Sequence, residues 1–289
     1  MTQPRGPAAA SDRDRSEFIE AFDTQLRGQL AMRLPRGAQE EQLGPVFRSW
    51  GRGPRGFVQT VPLERLSGAQ LDRLIQEQIQ FFSKLGVCFE WKTYGHDRTA
   101  GLEERLRKAG LRPEETESVL IGRNAGLNHD ASPPEGVAIR EVHSRTDTER
   151  MADLLTEVGG EDLSSLSASF FEEARANPKD VVLLVAEAAG RVIATGRVNL
   201  VPNTEFATLW AGSTLASWRH RGVYRALVAH RVRLALERGL AYLEVDASPA
   251  SRPILERLGL LCVSTSTPYV WYPTPGTAEA GSGSASGDR

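Results

Sequence analysis

Leu215-Ala216-Ser217-Trp218-Arg219-His220-Arg221-Gly222-Val223-Tyr224-Arg225-Ala226-Leu227 joins an apolar strand-like run, Phe206 to Leu215, to a helix that the spacing predicts from about Gly222 to Arg238. The join is short and basic. Consecutive main-chain N–H groups at a helix start point outward, the helix dipole favours negative charge there, and Gly222 lets an anion approach the backbone. Each charge-assisted hydrogen bond from such a loop is worth roughly 1.5 to 3 kcal/mol before ordering costs, so several together would hold a pyrophosphate. From Arg219 to Arg238 there are six Arg and one Glu, a local charge of +5. A solvated basic helix face accounts by itself for Arg231, Arg233 and Arg238. It does not account for the loop.

Working outward, the second half reads as a strand from Val137 to Val142, helical segments at Thr146–Val158 and Ser167–Ala176, and strands Val181–Ala188 and Arg191–Leu200 joined by a tight Ala189-Gly190 hairpin. Beyond the long helix come a strand Ala241–Val245, a short helix Ser251–Leu258 and terminal strands within Leu260–Tyr272. The first half opens with a helix from about Asp12 to Leu34, capped by Ser11, on whose apolar stripe lie Phe18, Phe22, Leu26, Leu30 and Leu34. Strands Val46–Trp50 and Phe57–Val61 flank Gly51-Arg52-Gly53-Pro54-Arg55-Gly56, a turn that precedes a strand and so lacks the helix start an anion needs. A helix from Ser67 to Leu85, a strand Val87–Tyr94, a short helix Gly101–Ala109 and a strand Ser118–Ile121 follow.

The two halves repeat one another. The order helix, Gly, strand, short helix, Gly, strand occupies Leu71–Ile121 and again Val223–Tyr272, with Gly86 matching Gly239 and Gly110 matching Gly259. Phe89-Glu90-Trp91 echoes Leu243-Glu244-Val245, and Glu104-Arg105-Leu106 echoes Glu256-Arg257-Leu258. We expect one domain over 12–123, a breaker-rich linker over 124–136, a second domain over 137–273, and disordered ends at 1–11 and 274–289.

In 289 residues, 35 basic side chains meet 37 acidic ones, a formal net charge of -2, which removes a whole-chain electrostatic case for nucleic acid or an anionic membrane. No stretch approaches 18 apolar residues and no secretory signal is evident, so a soluble cytoplasmic protein is expected. Cys88 and Cys262 are read as buried free thiols, and neither they nor the five His are spaced as a metal site. The five Trp residues read as core or interface residues rather than a base-stacking platform.

The quoted loop resembles the coenzyme loop of the GNAT superfamily of acyl-CoA-dependent N-acetyltransferases, whose pattern Arg/Gln-x-x-Gly-x-Gly/Ala is met here by Arg219-x-x-Gly222-x-Tyr224. Tyr224 departs from the small residue at the sixth position. Leu243-Glu244-Val245 and Leu258-Gly259-Leu260 extend the match, and two such domains in tandem, the N-terminal one without a coenzyme loop, look like the mycothiol synthase arrangement. The resemblance implies an α/β fold of two twisted mixed sheets flanked by helices. It also implies acetyl-CoA as co-substrate, held by Ser213, Thr214, Leu215, Arg219, His220, Arg221, Gly222, Val223, Tyr224, Arg225, Ser248 and Ser251. An amine would attack the thioester directly in a ternary complex, with Glu244 as base and Asp246 as a second candidate. A strand carboxylate paired to an Arg is the structural alternative for Glu244.

The family's general-acid Tyr falls on Leu255 and its usual Asn on Ser248; Tyr224, Tyr269 or Ser251 would have to substitute, or the thiolate leaves unassisted. Tyr269 reads more simply as a core aromatic. Asp153 to Asp180 holds seven carboxylates and two basic residues, a balance of -5, which points to a cationic amine acceptor (a polyamine, an aminoglycoside or a peptide N-terminus) contacted by Glu172 and Glu173. Against this transferase stands a non-catalytic acyl-CoA-binding regulatory module, which Leu255 and Tyr224 favour.

Overall fold

A computed structural model describes residues 12–27, 39–51, 55–160 and 162–273. The expected disordered ends, the Ser11 cap, the helical stretch 28–34 and Arg52 to Pro54 of the Arg/Gly turn lie outside the described residues.

The first half runs α1 (Asp12–Phe22), a π turn (Asp23–Arg27), β1 (Gln39–Leu43), β2 (Val46–Trp50), β3 (Arg55–Thr60), α2 (Gly68–Leu85), β4 (Cys88–Tyr94), α3 (Leu102–Lys108), the two-residue β5 (Arg112–Pro113) and β6 (Glu117–Arg123). The second half runs β7 (Val137–Glu141), α4 (Arg145–Gly159), α5 (Leu166–Ala176), β8 (Val181–Ala188), β9 (Arg191–Leu200), β10 (Phe206–Thr214), α6 (Val223–Glu237), β11 (Tyr242–Ala247), α7 (Arg252–Arg257) and β12 (Leu261–Trp271). Local chemistry explains the boundaries. Ser67 and Gln70 form a reciprocal capping box at the start of α2, which buries Leu71, Ile75 and Phe82. Ala189 and Gly190 both take left-handed φ, 48° and 77°, as the tight β8–β9 turn requires. The repeated glycines Gly86, Gly110, Gly239 and Gly259 all have positive φ after α2, α3, α6 and α7, where the chain reverses out of each helix.

All the strands form one mixed sheet in the order β1-β2-β3-β4-β12-β6-β11-β10-β9-β8-β7, with β5 pairing β12. Among the described residues only β3–β4 and β10–β11 are parallel, each crossed by one long helix, α2 or α6. The centre of the sheet departs from two separate domains. β12, the last strand of the second half, lies between β4 and β6 of the first, while β6 lies between β11 and β12 of the second. Each half therefore completes its sheet with the other's final strand. The stretch 124–136 is irregular after a short 3-10 turn, and it is docked: Asn124 donates to the Leu240 carbonyl and Leu127 is buried.

Apolar side chains gather in one core on the α6 face of the second half, one beneath α2 in the first, and a third where Phe18 and Phe22 of α1 meet Tyr94, Val119, Ile121, Phe206 and Val263. Several expectations are corrected. The first helix is α-helical only to Phe22, then widens into the π turn; β1, polar and exposed, carries no apolar alternation to announce it. The terminal strands are one strand, whose register shifts between Cys262 and Ser264. Cys88 and Cys262 are free thiols, but half-buried rather than buried. Among the described residues no helix is long and apolar enough to cross a membrane.

Because neither half closes its sheet alone, calorimetric melting of the whole chain should show a single transition. Two well-separated transitions would contradict the interleaving.

Candidate functional site

β10 and β11 pair only from Phe206–Tyr242 to Thr208–Glu244, and then part. The cause is local: β10 bulges between Trp210 and Ser213, with Ala211 at φ 50°, and continues along β9 alone. The strand edge facing β11 beyond Thr208 is thus left without a ladder partner. Thr214 lies on this stretch, and its buried hydroxyl has no hydrogen-bond partner among the described residues. The loop that follows enters α6 through His220 and Gly222, both left-handed at φ 62° and 85°. Nothing lies within 4 Å of the position a Cβ would take on Gly222. Arg219, His220, Arg221 and Arg225 are exposed around this helix start; Arg221 lies over the Trp218 ring at 5.0 Å and Arg219 donates to the Thr214 carbonyl.

Tyr224 turns inward. A Cβ on Gly212 would stand 3.2 Å from its ring, so the tyrosine occupies the space this glycine leaves open rather than the space over Gly222. Arg231, expected on a solvated face, is instead buried beside it: its guanidinium sits over Gly196 and Gly212, donates to the Leu227 and Arg197 carbonyls, and is pushed down in pKa by burial. Arg233 and Arg238 are likewise spent on the His129 and Lys179 carbonyls.

On the opposite face of the sheet from α6 lies a cavity of about 720 Å³. Strand alternation decides what lines it: Leu243, Val245 and Ala247 go to the α6 core, so Glu244 and Asp246 face the cavity, joined by Glu90, Lys92 and Tyr94 of β4 and Glu117 of β6. Lys92 Nζ reaches Asp246 Oδ2 at 2.6 Å, although β12 and β6 lie between their strands. On a flat sheet three strand spacings, about 14 Å, exceed the joint reach of a lysine and an aspartate, so the sheet is curved into a trough here. Ser266 of β12 donates to the other Asp246 oxygen at 3.1 Å. Glu244 has no hydrogen-bond partner among the described residues. Burial first, then the neighbouring Asp246 charge, raise its pKa well above the usual carboxylate range against the pull of Lys92. Burial likewise raises Glu90, and raises Glu117 to about 7.

Of the residues the sequence nominates, Glu244 and Asp246 come together in the cavity, and Ser213, Thr214, Arg219, His220, Arg221, Gly222 and Arg225 line the β10 edge and the loop. The Leu215 N–H is already used by the Ile193 carbonyl, and the Val223 side chain is buried in the core. Ser248 and Ser251 sit together past the end of β11, their hydroxyl oxygens 3.2 Å apart. Leu255 is a fully buried core residue. Tyr269, on β12, is a buried core aromatic, as expected, in the core beneath α2; it donates to Glu103 and its pKa is pushed up to about 12, far from β10 in strand order. Among the described carboxylates of the stretch 153–180 only Glu173 reaches the cavity, where Arg197 binds it; Glu172 pairs with Arg145 and Arg175. Lys92, Glu90 and Glu117 were missed, although the polar alternation Glu90, Lys92, Tyr94 marks one strand face.

Residues 148–260 match the model of the acetyltransferase (GNAT) family. Comparison with curated proteins found no match. Among solved structures the chain is similar to a GCN5-related N-acetyltransferase from Kribbella flavida (15% identity, 89% of this chain and 94% of that one, TM-score 0.64). It is also similar to a tandem GNAT protein from the clavulanic acid biosynthesis pathway (12%, 93% and 98%, 0.60). A third likeness is to a GCN5-related N-acetyltransferase from Sphaerobacter thermophilus (16%, 78% and 76%, 0.56). These likenesses establish the fold: a large mixed sheet flanked by helices, shared with tandem GNAT proteins.

Glu117 keeps its proton in the folded state between about pH 4.5 and 7, where the unfolded chain has lost it, so this group makes stability fall as pH rises through that window. Glu117→Gln should therefore melt higher relative to wild type at pH 8 than at pH 5. An equal difference at both pH values would place Glu117 in an ordinary solvated setting.

Proposed function

We propose that the protein is an acyl-CoA-dependent N-acetyltransferase acting on an amine in the cavity. The observation that carries the reading is the parting of β10 from β11 at Thr208 and Glu244: this one gap runs between the α6 start on one face and the buried carboxylates on the other. The unpartnered Thr214 hydroxyl, the free β10 edge and the open backbone at Gly222 suit a pantetheine arm and a pyrophosphate. Ser213 and Thr214 would pair with the arm, and Arg219, His220, Arg221, Arg225 and the first N–H groups of α6, at Val223 and Tyr224, would take the phosphates. Acetyl-CoA, when bound, supplies a thioester carbonyl open to attack.

Glu244 receives the amine proton. Its raised pKa lies nearer that of an ammonium than an ordinary carboxylate's does, which lowers the cost of freeing the nitrogen lone pair. The amine nitrogen then bonds the acyl carbon as the carbon–sulfur bond breaks, and the sulfur leaves as a thiolate, a good leaving group near neutral pH. Both Asp246 oxygens are occupied, by Lys92 and Ser266, so its role is to hold Lys92 beside Glu244. The first half supplies Lys92, Glu90 and Glu117 and so walls the acceptor site. An acyl-CoA supply fits the expected cytoplasmic setting.

The rival reading, a non-catalytic acyl-CoA-binding module, is favoured by one observation, the burial of Leu255 where the family's acid would stand. Glu244→Gln separates the two. In an enzyme it should lower kcat about 100- to 1,000-fold while acetyl-CoA affinity measured by calorimetry changes less than about threefold. No amine-dependent coenzyme release by the wild type, with acetyl-CoA still bound, would favour the binding module.

A further inference from the structure

The cavity's chemistry narrows the acceptor further, on the transferase reading above. Its cations are already claimed: Arg27 by Asp23 and Asp97, Arg55 by Glu114, Lys92 by Asp246 and Arg197 by Glu173. A carboxylate or phosphate on the acceptor would find no cation to meet it among the described residues. The anions are in surplus, since Glu117 and Glu244 accept no hydrogen bond among the described residues and Glu117 stands 4.0 Å from the nearest ammonium. The desolvated Glu244 carboxylate faces the same space as Glu117, which lies further along the neighbouring strand, and this acidic face suits a positive group.

Around this acidic floor the walls are aromatic. The β2–β3 hairpin contributes Phe47, Trp50 and Phe57 from one side; α5 and β10 contribute Phe170 and Trp210 from the other. Phe57 and Trp210 are 47% and 41% exposed, although large apolar side chains favour burial. Two of the wall rings have partners: the Trp210 indole N–H is satisfied by Thr208 at 2.8 Å, and Trp50 packs edge-on to Phe81 at 4.8 Å. What these rings present to the cavity is apolar surface.

We propose that the acceptor is a primary amine on an extended aromatic or apolar body that carries no anionic group, with the amine over the acidic floor at Glu244 and the body between the aromatic walls of the two halves. The volume, about 720 Å³, fits a ligand of several rings or a ring on a long chain better than a small polyhydroxylated amine.

The test uses dansylcadaverine as probe, 6-(dansylamino)hexanoic acid as its counterpart with a carboxylate in place of the amine, and spermidine as an amine without an aromatic body. Binding to the full chain without acetyl-CoA is read by dansyl fluorescence, with spermidine read by competition; turnover is read by release of free coenzyme thiol. Dansylcadaverine should bind at least about tenfold more tightly than either comparator and be the better substrate. Phe57→Ala and Trp210→Ala should each weaken it about tenfold, with melting curves confirming that both variants fold. Equal or tighter binding of the acid, or of spermidine, overturns the proposal, as does unchanged affinity in both variants. Failure of the transferase reading looks different: dansylcadaverine would bind selectively, but acetyl-CoA would neither bind nor be consumed.

Discussion

Two strands, β6 and β12, lie side by side at the centre of the sheet, and each completes the half to which the other belongs. Everything the site needs depends on that exchange. It sets β4 of the first half within reach of β11 of the second, so that Lys92 closes on Asp246 across the trough. It brings Glu117, at the start of β6, into the same space as Glu244. Separate sheets would leave the carboxylates of β11 facing solvent, with ordinary proton affinity and no second wall.

The exchange also explains a costly concentration of charge. Four carboxylates, Glu90, Glu117, Glu244 and Asp246, share the floor with one lysine, and burial disfavours the ionised forms of the three glutamates. Ordinary cores avoid this arrangement. Here the second strand face is a run of Leu and Val packed beneath α6, so the sheet is anchored on one side while the other side holds groups that burial alone would reject. Lys92 is the counterweight: Asp246 fixes it, and its charge pulls against the rise that burial and Asp246 impose on the Glu244 pKa.

Much of this was legible in the residues. The periodicity of α2, the turn chemistry of Ala189-Gly190 and the basic loop before α6 each follow from local rules, and the paired glycines marked the ends of α2, α3, α6 and α7. Partner choice between strands was not legible, because an alternating pattern fixes which face is apolar and leaves open which neighbour it meets. Hence β12 and β6 could be placed in their halves but not in each other's. Arg231 misled for a related reason: its charge suggested solvent, whereas Gly196 and Gly212, distant in sequence, make the room that buries it. Tyr224 departs from the family's small residue, yet Gly212 receives its ring.

The most direct test of the account is a crystal structure with coenzyme A bound. The account predicts pyrophosphate at Arg219 to Arg225, the pantetheine arm along the free edge of β10, and the sulfur emerging beside Glu244 in the cavity walled by both halves. A coenzyme seated elsewhere, or a sulfur on the far side of the sheet from Glu244, would contradict it.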